Sequence, residues 1–435
     1  MEGSIEQVTM RRVAWRLVPF LCVLYTIAFV DRINVGFASL TMSRDLGLTP
    51  GMFGFGAGIF FIAYFLFEVP SNLMLDRVGA RRWIARVMIT WGLISMGFAF
   101  ITNATEFYGL RFLLGLAEAG FFPGVILYLT YWFPRRWRGR VTAGFVVAIP
   151  IASAIAAPIS GYLLAMEGVL GFHGWQWMFI LEAAPAVVLG VVCLFYLTDR
   201  PEQATWLTTE QRDWLVAEMR NEQGIKQDHS LREVLSTLLT WPVLRLAIVY
   251  FGLTTGLYGI ELWLPQIVKG FGNVSNIEVG FIATIPYLLA IATMGFWARH
   301  SDKTGERFGH VAIACLVGCG GLVVAGMVHE LAVPTMVCLS IGIAGVMAAR
   351  PPFWQLPTEF LTGAKAAAGI AAINSIGNLG GFVGPSLIGW AKEITGSFTA
   401  GLMISALTLA LSAAFTLSLK RSSARSAAAG VVAAQ

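Results

Sequence analysis

A chain of 435 residues that is 57% hydrophobic and only 13% charged, with a mean hydropathy of +0.71, is far more apolar than a soluble protein. Soluble domains carry about 25% charged residues, and a single soluble core of this length would have split into domains. The net charge of +5 invites a nucleic-acid reading, but the basic residues sit in short loops between apolar spans, where they act as a topological signal. The expected partner is therefore the lipid bilayer and not nucleic acid. The five cysteines (Cys22, Cys193, Cys315, Cys319, Cys338) fall inside apolar spans without a C-x-x-C pair, so they read as small buried hydrophobes rather than metal ligands. The first apolar run has no small-residue cleavage site and is expected to remain as a helix.

Taken in order, the chain shows twelve apolar spans of membrane-crossing length, near 14–39, 50–73, 82–101, 106–132, 140–165, 175–198, 243–268, 276–299, 308–328, 333–356, 364–390 and 398–419. The fold class predicted is an all-α membrane protein of twelve transmembrane helices. A polar segment divides the spans six and six. The expected domains are a first six-helix bundle over 1–198, a linker with short amphipathic helices over 199–242, a second bundle over 243–420, and a disordered small-residue tail over 421–435. In the linker, Thr208-x-x-Gln211 and Ser230-x-x-Glu233 have the form of capping boxes, and the helices they open are expected to tie the halves together. Asn103-Ala-Thr105 and Asn273-Val-Ser275 fit the glycosylation pattern, while Gly54-Phe-Gly56-Ala-Gly58 lies within a span and reads as helix packing rather than a nucleotide loop.

Basic residues set the orientation. With a cytoplasmic N-terminus, most arginines and lysines fall on the inner side, and the outer loops hold only Arg44, Lys269 and Lys392. Both termini and the linker are then cytoplasmic. Arg86 and Arg245 lie near span ends and can snorkel, whereas Arg32, Arg111 and Arg350 cannot.

The halves repeat: Asp76-Arg77-x-Gly79-x-Arg81 after span two returns as Asp302-Lys303-x-Gly305-x-Arg307 after span eight. Two pseudo-symmetric bundles of like topology, with a site between them, are what such a repeat implies. Charges at membrane depth cost about 2.5–3.5 kcal/mol each on insertion scales, which singles out Arg111-Phe-Leu-Leu-Gly-Leu-Ala-Glu118, whose two charges stand two turns apart on one helix face. Either a packing ion pair or an anion site beside a titratable carboxylate satisfies that pattern.

The doubled Asp-Arg-x-Gly-x-Arg signature resembles the major facilitator superfamily. Further stretches narrow the resemblance to its anion:cation symporters: Asp31-Arg32-Ile33-Asn34, Phe67-Glu68-Val69-Pro70-Ser71-Asn72-Leu73, the Arg111–Gly124 segment, Tyr131-Trp132-Phe133-Pro134, Asp199-Arg200-Pro201, Trp263-Leu264-Pro265-Gln266 and Asn374-Ser375-Ile376-Gly377-Asn378-Leu379-Gly380-Gly381. The resemblance implies a non-enzymatic secondary transporter of the cytoplasmic (inner) membrane, monomeric, without cofactor and driven by the proton gradient. It further implies that spans one and four face a central cavity, with Arg32 and Arg111 as anion forks and Asp31 and Glu118 as proton carriers. Asp76, Arg77, Gly79, Arg81, Asp302, Lys303, Gly305 and Arg307 would form the gating motif. Candidate substrate contacts are Tyr64, Glu261, Asn374, Asn378 and Arg350, the last preceding Pro351-Pro352, which would open its helix. For Arg350 a place at the cytoplasmic mouth stays equally open, and Glu68 is assigned to the Asp76–Arg77 network. The functional expectation is import of a small organic carboxylate (a hydroxy acid, sugar acid or aromatic acid) by proton symport. Alternatives are a drug or cation exporter, which would want carboxylates without paired arginines, an organic-anion exchanger, and a receptor or enzyme on the same fold, which would need a soluble segment longer than the linker.

Overall fold

The structure is a computed structural model and describes residues 4–146, 148–223, 240–361 and 363–433. The first bundle contains α1 (Ile5–Asp45), α2 (Pro50–Val78), α3 (Ala80–Gly97), α4 (Ala104–Glu118), α5 (Phe121–Trp132), α6 (Arg135–Val146), α7 (Ala148–Leu164) and α8 (Gly174–Tyr196). Among the described residues of the linker, one α-helix, α9 (Thr209–Gln223), follows. The second bundle contains α10 (Trp241–Lys269), α11 (Asn276–Thr304), α12 (Phe308–Met327), α13 (Ala332–Phe353), the short α14 (Pro357–Phe360), α15 (Gly363–Asn378), α16 (Gly380–Thr395) and α17 (Thr399–Ala433). Among the described residues, ten stretches are long and apolar enough to cross a membrane, α4 and α5 together forming one of them. The shorter apolar helix α7 and the pair α15 and α16, which meet at a turn at Leu379, correspond to the other two of the twelve read from the sequence.

Local chemistry starts these helices where they start. The Thr49 side chain accepts from the Met52 amide 3.2 Å away, with Pro50 at the first helical position, where its missing N–H costs nothing. Both glycosylation-like tripeptides turn out to hold helix caps: Asn103 accepts from the Glu106 amide of α4, and Ser275 forms a reciprocal box with Glu278 on α11.

Bundle contacts concentrate on small residues. On the face opposite the basic loops, α2 lies against α16, and a Cβ on Gly54 would press on the Pro385 carbonyl, as one on Gly58 would on Phe382. The pair α7 and α11 meets likewise at Gly161 and Gly280. Glycine lets backbones approach closely enough for dispersion to replace the hydrophobic drive that lipid does not supply. Polar ties reinforce this seam: Glu393 accepts from the Thr49 hydroxyl and the Gly51 amide at 2.9 and 2.7 Å, while Lys392 donates to Gln266, which donates to Ser39 of α1.

On the basic face, α9 grips the first bundle. Arg136 pairs with Glu6 and Glu218 at 2.6 and 2.9 Å, and Arg138 with Glu222 at 2.9 Å. The Thr208–Gln211 box is present, with both bonds at 3.3 Å. These ties fasten α9 to the first half; Ser230 and Glu233, which open the second helix expected in the linker, lie outside the described residues. A cavity of about 1030 Å³ opens on this face, lined by Asn72, Asp76, Tyr131, Arg138, Arg200 and, from the second bundle, Ala371.

Two expectations are corrected here. The tail expected to be disordered is helical, since α17 continues to Ala433; its run of alanines and serines lacks proline and favours helix. Span four is not one helix: α4 ends at Glu118, Ala119 is extended (φ −53°, ψ 132°), and Gly120 adopts φ +81° before α5 begins. A positive φ is open to glycine at little cost, so Gly120 is the break itself.

Candidate substrate and proton site

The break after Glu118 places that carboxylate at a helix end, facing α1 and the seam between bundles. Arg32 of α1 donates through Nη2 to Glu118 Oε1 in a tight ion pair, and through Nη1 to the Tyr258 hydroxyl of α10 at 3.2 Å. The Arg32 side chain is 11% exposed and Glu118 only 1%. Rings of Phe29, Phe60 and Tyr64 lie 5.9, 5.4 and 5.5 Å from the Arg32 guanidinium carbon. An apolar, aromatic wall lowers the local dielectric, which strengthens the pair and raises the cost of breaking it to about 3–5 kcal/mol when one partner is removed. Arg32 also touches both halves of the molecule, through Glu118 on one side and Tyr258 on the other.

Arg111 is held differently. It is 1% exposed and donates to backbone carbonyls of α2, from Nε to Gly56 at 3.4 Å and from Nη2 to Ala57 at 2.7 Å. Gly115 makes this reach available, because a side chain there would collide with the Phe60 carbonyl and hold α4 away. Arg111 and Arg32 lie over the same Phe60 ring, at 5.0 and 5.4 Å. The two-turn spacing of Arg111 and Glu118 thus puts both near one centre, but Glu118 takes its ion pair from Arg32.

Asp31 does not sit beside Arg32. It turns into the first bundle, 1% exposed, and accepts from Trp91 Nε1 at 2.6 Å, Ser95 Oγ at 3.0 Å and Asn34 at 3.2 Å. Neighbouring residues on a helix diverge by about 100°, so Arg32 faces the seam while Asp31 faces α3. Glu182 is buried nearby on α8 and accepts from Ser160 at 2.7 Å.

Glu68, assigned from the sequence to the Asp76–Arg77 network, is instead a cross-bundle clamp. It accepts from Asn374 Nδ2 at 2.7 Å and Ser375 Oγ at 2.9 Å on α15. It lies two turns before Asp76 on α2 and faces the second bundle, which spacing within one helix does not reveal. Asn374 is therefore engaged by Glu68, and Asn378 lies at the half-buried end of α15. In the Asp76–Arg81 loop, Asp76 accepts from the Tyr131 hydroxyl at 2.8 Å and pairs with Arg200 at 3.7 Å, and Asp199 accepts from the Arg81 amide at 2.8 Å. Gly79 (φ +95°) makes the turn against Asp199, and Gly305 (φ +67°) makes the equivalent turn in the second half. There Arg307 pairs with Asp302 at 2.7 Å.

Two candidates in the second bundle stand apart from this network. Arg350, 6% exposed near the end of α13, has its guanidinium carbon 5.9 Å from the Tyr250 ring; Pro351 and Pro352 lie in the last turn and end the helix rather than opening it midway. Glu261 on α10 is 2% exposed, and neither carboxylate oxygen has a hydrogen-bond partner among the described residues. Sequence reasoning missed Tyr258, Phe60 and Trp91 as parts of the site. The eight-residue step from Tyr250 to Tyr258 on one α10 face was the available signal.

Residues 21–385 match the model of the Major Facilitator Superfamily. A protein of Agrobacterium vitis bearing the name "Putative tartrate transporter" is 56% identical over 97% of this chain and 93% of its own. A quinolone resistance transporter of Acinetobacter baumannii is 44% identical over 92% of each. In fold, the chain is similar to a bacterial homolog of the human lysosomal transporter Spinster, at a TM-score of 0.78 and 14% identity, covering 95% of this chain and 98% of that one. With its two six-span halves and doubled loop motif, this chain belongs to the Major Facilitator Superfamily and is a multi-pass membrane transporter, not an enzyme.

Proposed function

We propose that this transporter imports a small organic carboxylate together with protons across the inner membrane by alternating access. It would work as a monomer with both termini and α9 in the cytoplasm, the side on which the basic loops lie. The carrying observation is the sharing of Arg32 between Glu118 and Tyr258 at the seam. Guanidinium is a bidentate partner for carboxylate, so an incoming anion competes with Glu118 for the same donors. Once displaced into an apolar wall, Glu118 is stabilised by taking a proton, and anion binding and protonation become one linked event. When the proton leaves, Glu118 reclaims Arg32 and expels the anion.

Arg111 supports this centre by holding α2 to α4 and adding positive potential across Phe60. Tyr64 lines the anion's approach, and Asp31 is a buried reserve acid. The Glu68 clamp on Asn374 and Ser375 and the Asp76 and Asp302 loops act as ties on the basic face, which must part for release. The tartrate name of the Agrobacterium relative agrees with a hydroxy-acid substrate. The quinolone resistance name of the Acinetobacter relative supports a second reading, export of a drug, for which the paired arginine is a poor cavity residue.

Uptake of labelled tartrate into proteoliposomes, with unlabelled carboxylates competing and a protonophore control, tests the proposal. Accumulation that requires an inward proton gradient and yields to competing carboxylates supports it. Uptake indifferent to the protonophore, or outward movement of a quinolone in preference to inward movement of any acid, refutes it.

A further inference from the structure

The second bundle holds a buried acid and a buried cation that the Arg32–Glu118 centre leaves unused. Glu261 is enclosed with both carboxylate oxygens lacking hydrogen bonds, and Arg350 is enclosed with Nε unpartnered and with no ion pair among the described residues. Both border one face of α10. Tyr250, against which Arg350 rests, and Glu261 are eleven residues apart, which returns the helix to within about 20°. Tyr258, the acceptor for Arg32, lies one turn from Glu261 on that helix. The charged and titratable groups that face Glu261 are Arg350 from α13, Arg32 from α1 and Tyr287 from α11.

An ionised carboxylate with neither oxygen hydrogen-bonded is among the costliest arrangements a buried acid can have, whereas its neutral form forgoes far less. A buried guanidinium without an anion is the complementary deficit. The two deficits lie along one helix face, on the side of the seam opposite Glu118. Resting on the function proposed above, we infer that Glu261 is a second proton carrier and Arg350 the cation for a second carboxylate of the substrate. The first carboxylate takes Arg32 and leaves Glu118 protonated; the second takes Arg350 while Glu261 stays protonated beside it. On release to the basic face both acids give up their protons. The substrate class is then a dicarboxylate of hydroxy-acid length, and a dianion crosses with two protons at no net charge.

The test is the stoichiometry of the full chain in proteoliposomes, with labelled tartrate as probe. The condition of zero net flux is found while the pH gradient and a potassium–valinomycin potential are varied. Wild-type protein is expected to accumulate tartrate up to about 100-fold per pH unit, independently of the potential, as linkage to two protons requires. Glu261→Gln is expected to fall to about 10-fold per pH unit, and an inside-negative potential should now oppose uptake, because one net negative charge enters. A Glu261→Gln protein that keeps two protons overturns the inference while leaving the proposed function standing. So does one that melts as wild type does yet binds no tartrate, since a neutral amide imitates the protonated acid. A wild-type protein that takes one proton overturns it too. Wild-type uptake with no proton coupling refutes the proposed function itself.

Discussion

Glu118→Gln separates the roles assigned to the central ion pair. In the wild-type protein the substrate must displace a charge-assisted hydrogen bond between Glu118 and Arg32, an interaction worth about 1.5–3 kcal/mol. An amide still fills the space and still accepts from Arg32, but it holds the guanidinium with an ordinary hydrogen bond. Most of that competition disappears, and affinity for a carboxylate at alkaline pH should rise about 10- to 150-fold, since each 1.4 kcal/mol is a factor of ten. The slope of log affinity against pH should also fall by one proton, because the group that titrates on binding is gone. Binding calorimetry with tartrate across pH 6–9, in buffers of differing ionisation enthalpy, measures both. Exchange of internal for external substrate should persist, as it needs no net proton movement, while accumulation against a gradient should drop. A variant with unchanged affinity and unchanged slope would show that the anion does not compete with Glu118 for Arg32, and the reasoning would fail.

Arg111→Ala removes two bonds to the carbonyls of α2 and leaves a buried void; uptake should vanish and the melting temperature fall, and Arg111→Lys should not restore transport because a point charge cannot span both carbonyls. Gly54→Val places a branched side chain against the Pro385 carbonyl, so the α2–α16 seam should stay parted; a cysteine at the half-buried Ser386 would then label faster while uptake is lost. Glu306 lies in the turn between α11 and α12. Burial raises its pKa, but the Gly309 amide, Lys420 and His310 together bring it down to about 2 from the ordinary 4.5. A lowered folded-state pKa means stabilisation that is present above pH 4.5 and lost as pH falls toward 2. Glu306→Gln should therefore melt below wild type at neutral pH, with the gap closing across that acidic window; an equal gap at both ends would refute it.

The span count, the pseudo-repeat and the depth of the central charges were legible in the sequence because each is a one-dimensional signal: apolar length, loop charge and spacing along a helix. Asp31 and Arg32 show where that ends. Adjacent in sequence, they face different sides of α1, about 100° apart, and only the positions of Trp91 and Ser95 on α3 decide which side is which. Glu68 looked like a partner for the nearby motif on its own helix, yet it bonds α15, three hundred residues away in the chain. The break at Gly120 was hidden by a composition that suits close packing and a positive φ equally well. Arg350 and Glu261 stood out by cost alone, since charge at membrane depth is expensive wherever it points.

The central claim is that a substrate carboxylate and Glu118 are alternative partners of Arg32. A structure of the tartrate-bound protein at acidic pH tests it most directly. The account predicts a ligand carboxylate within hydrogen-bonding distance of the Arg32 guanidinium, with Glu118 turned away from it. Tartrate bound elsewhere, with the Arg32–Glu118 pair intact, would contradict it.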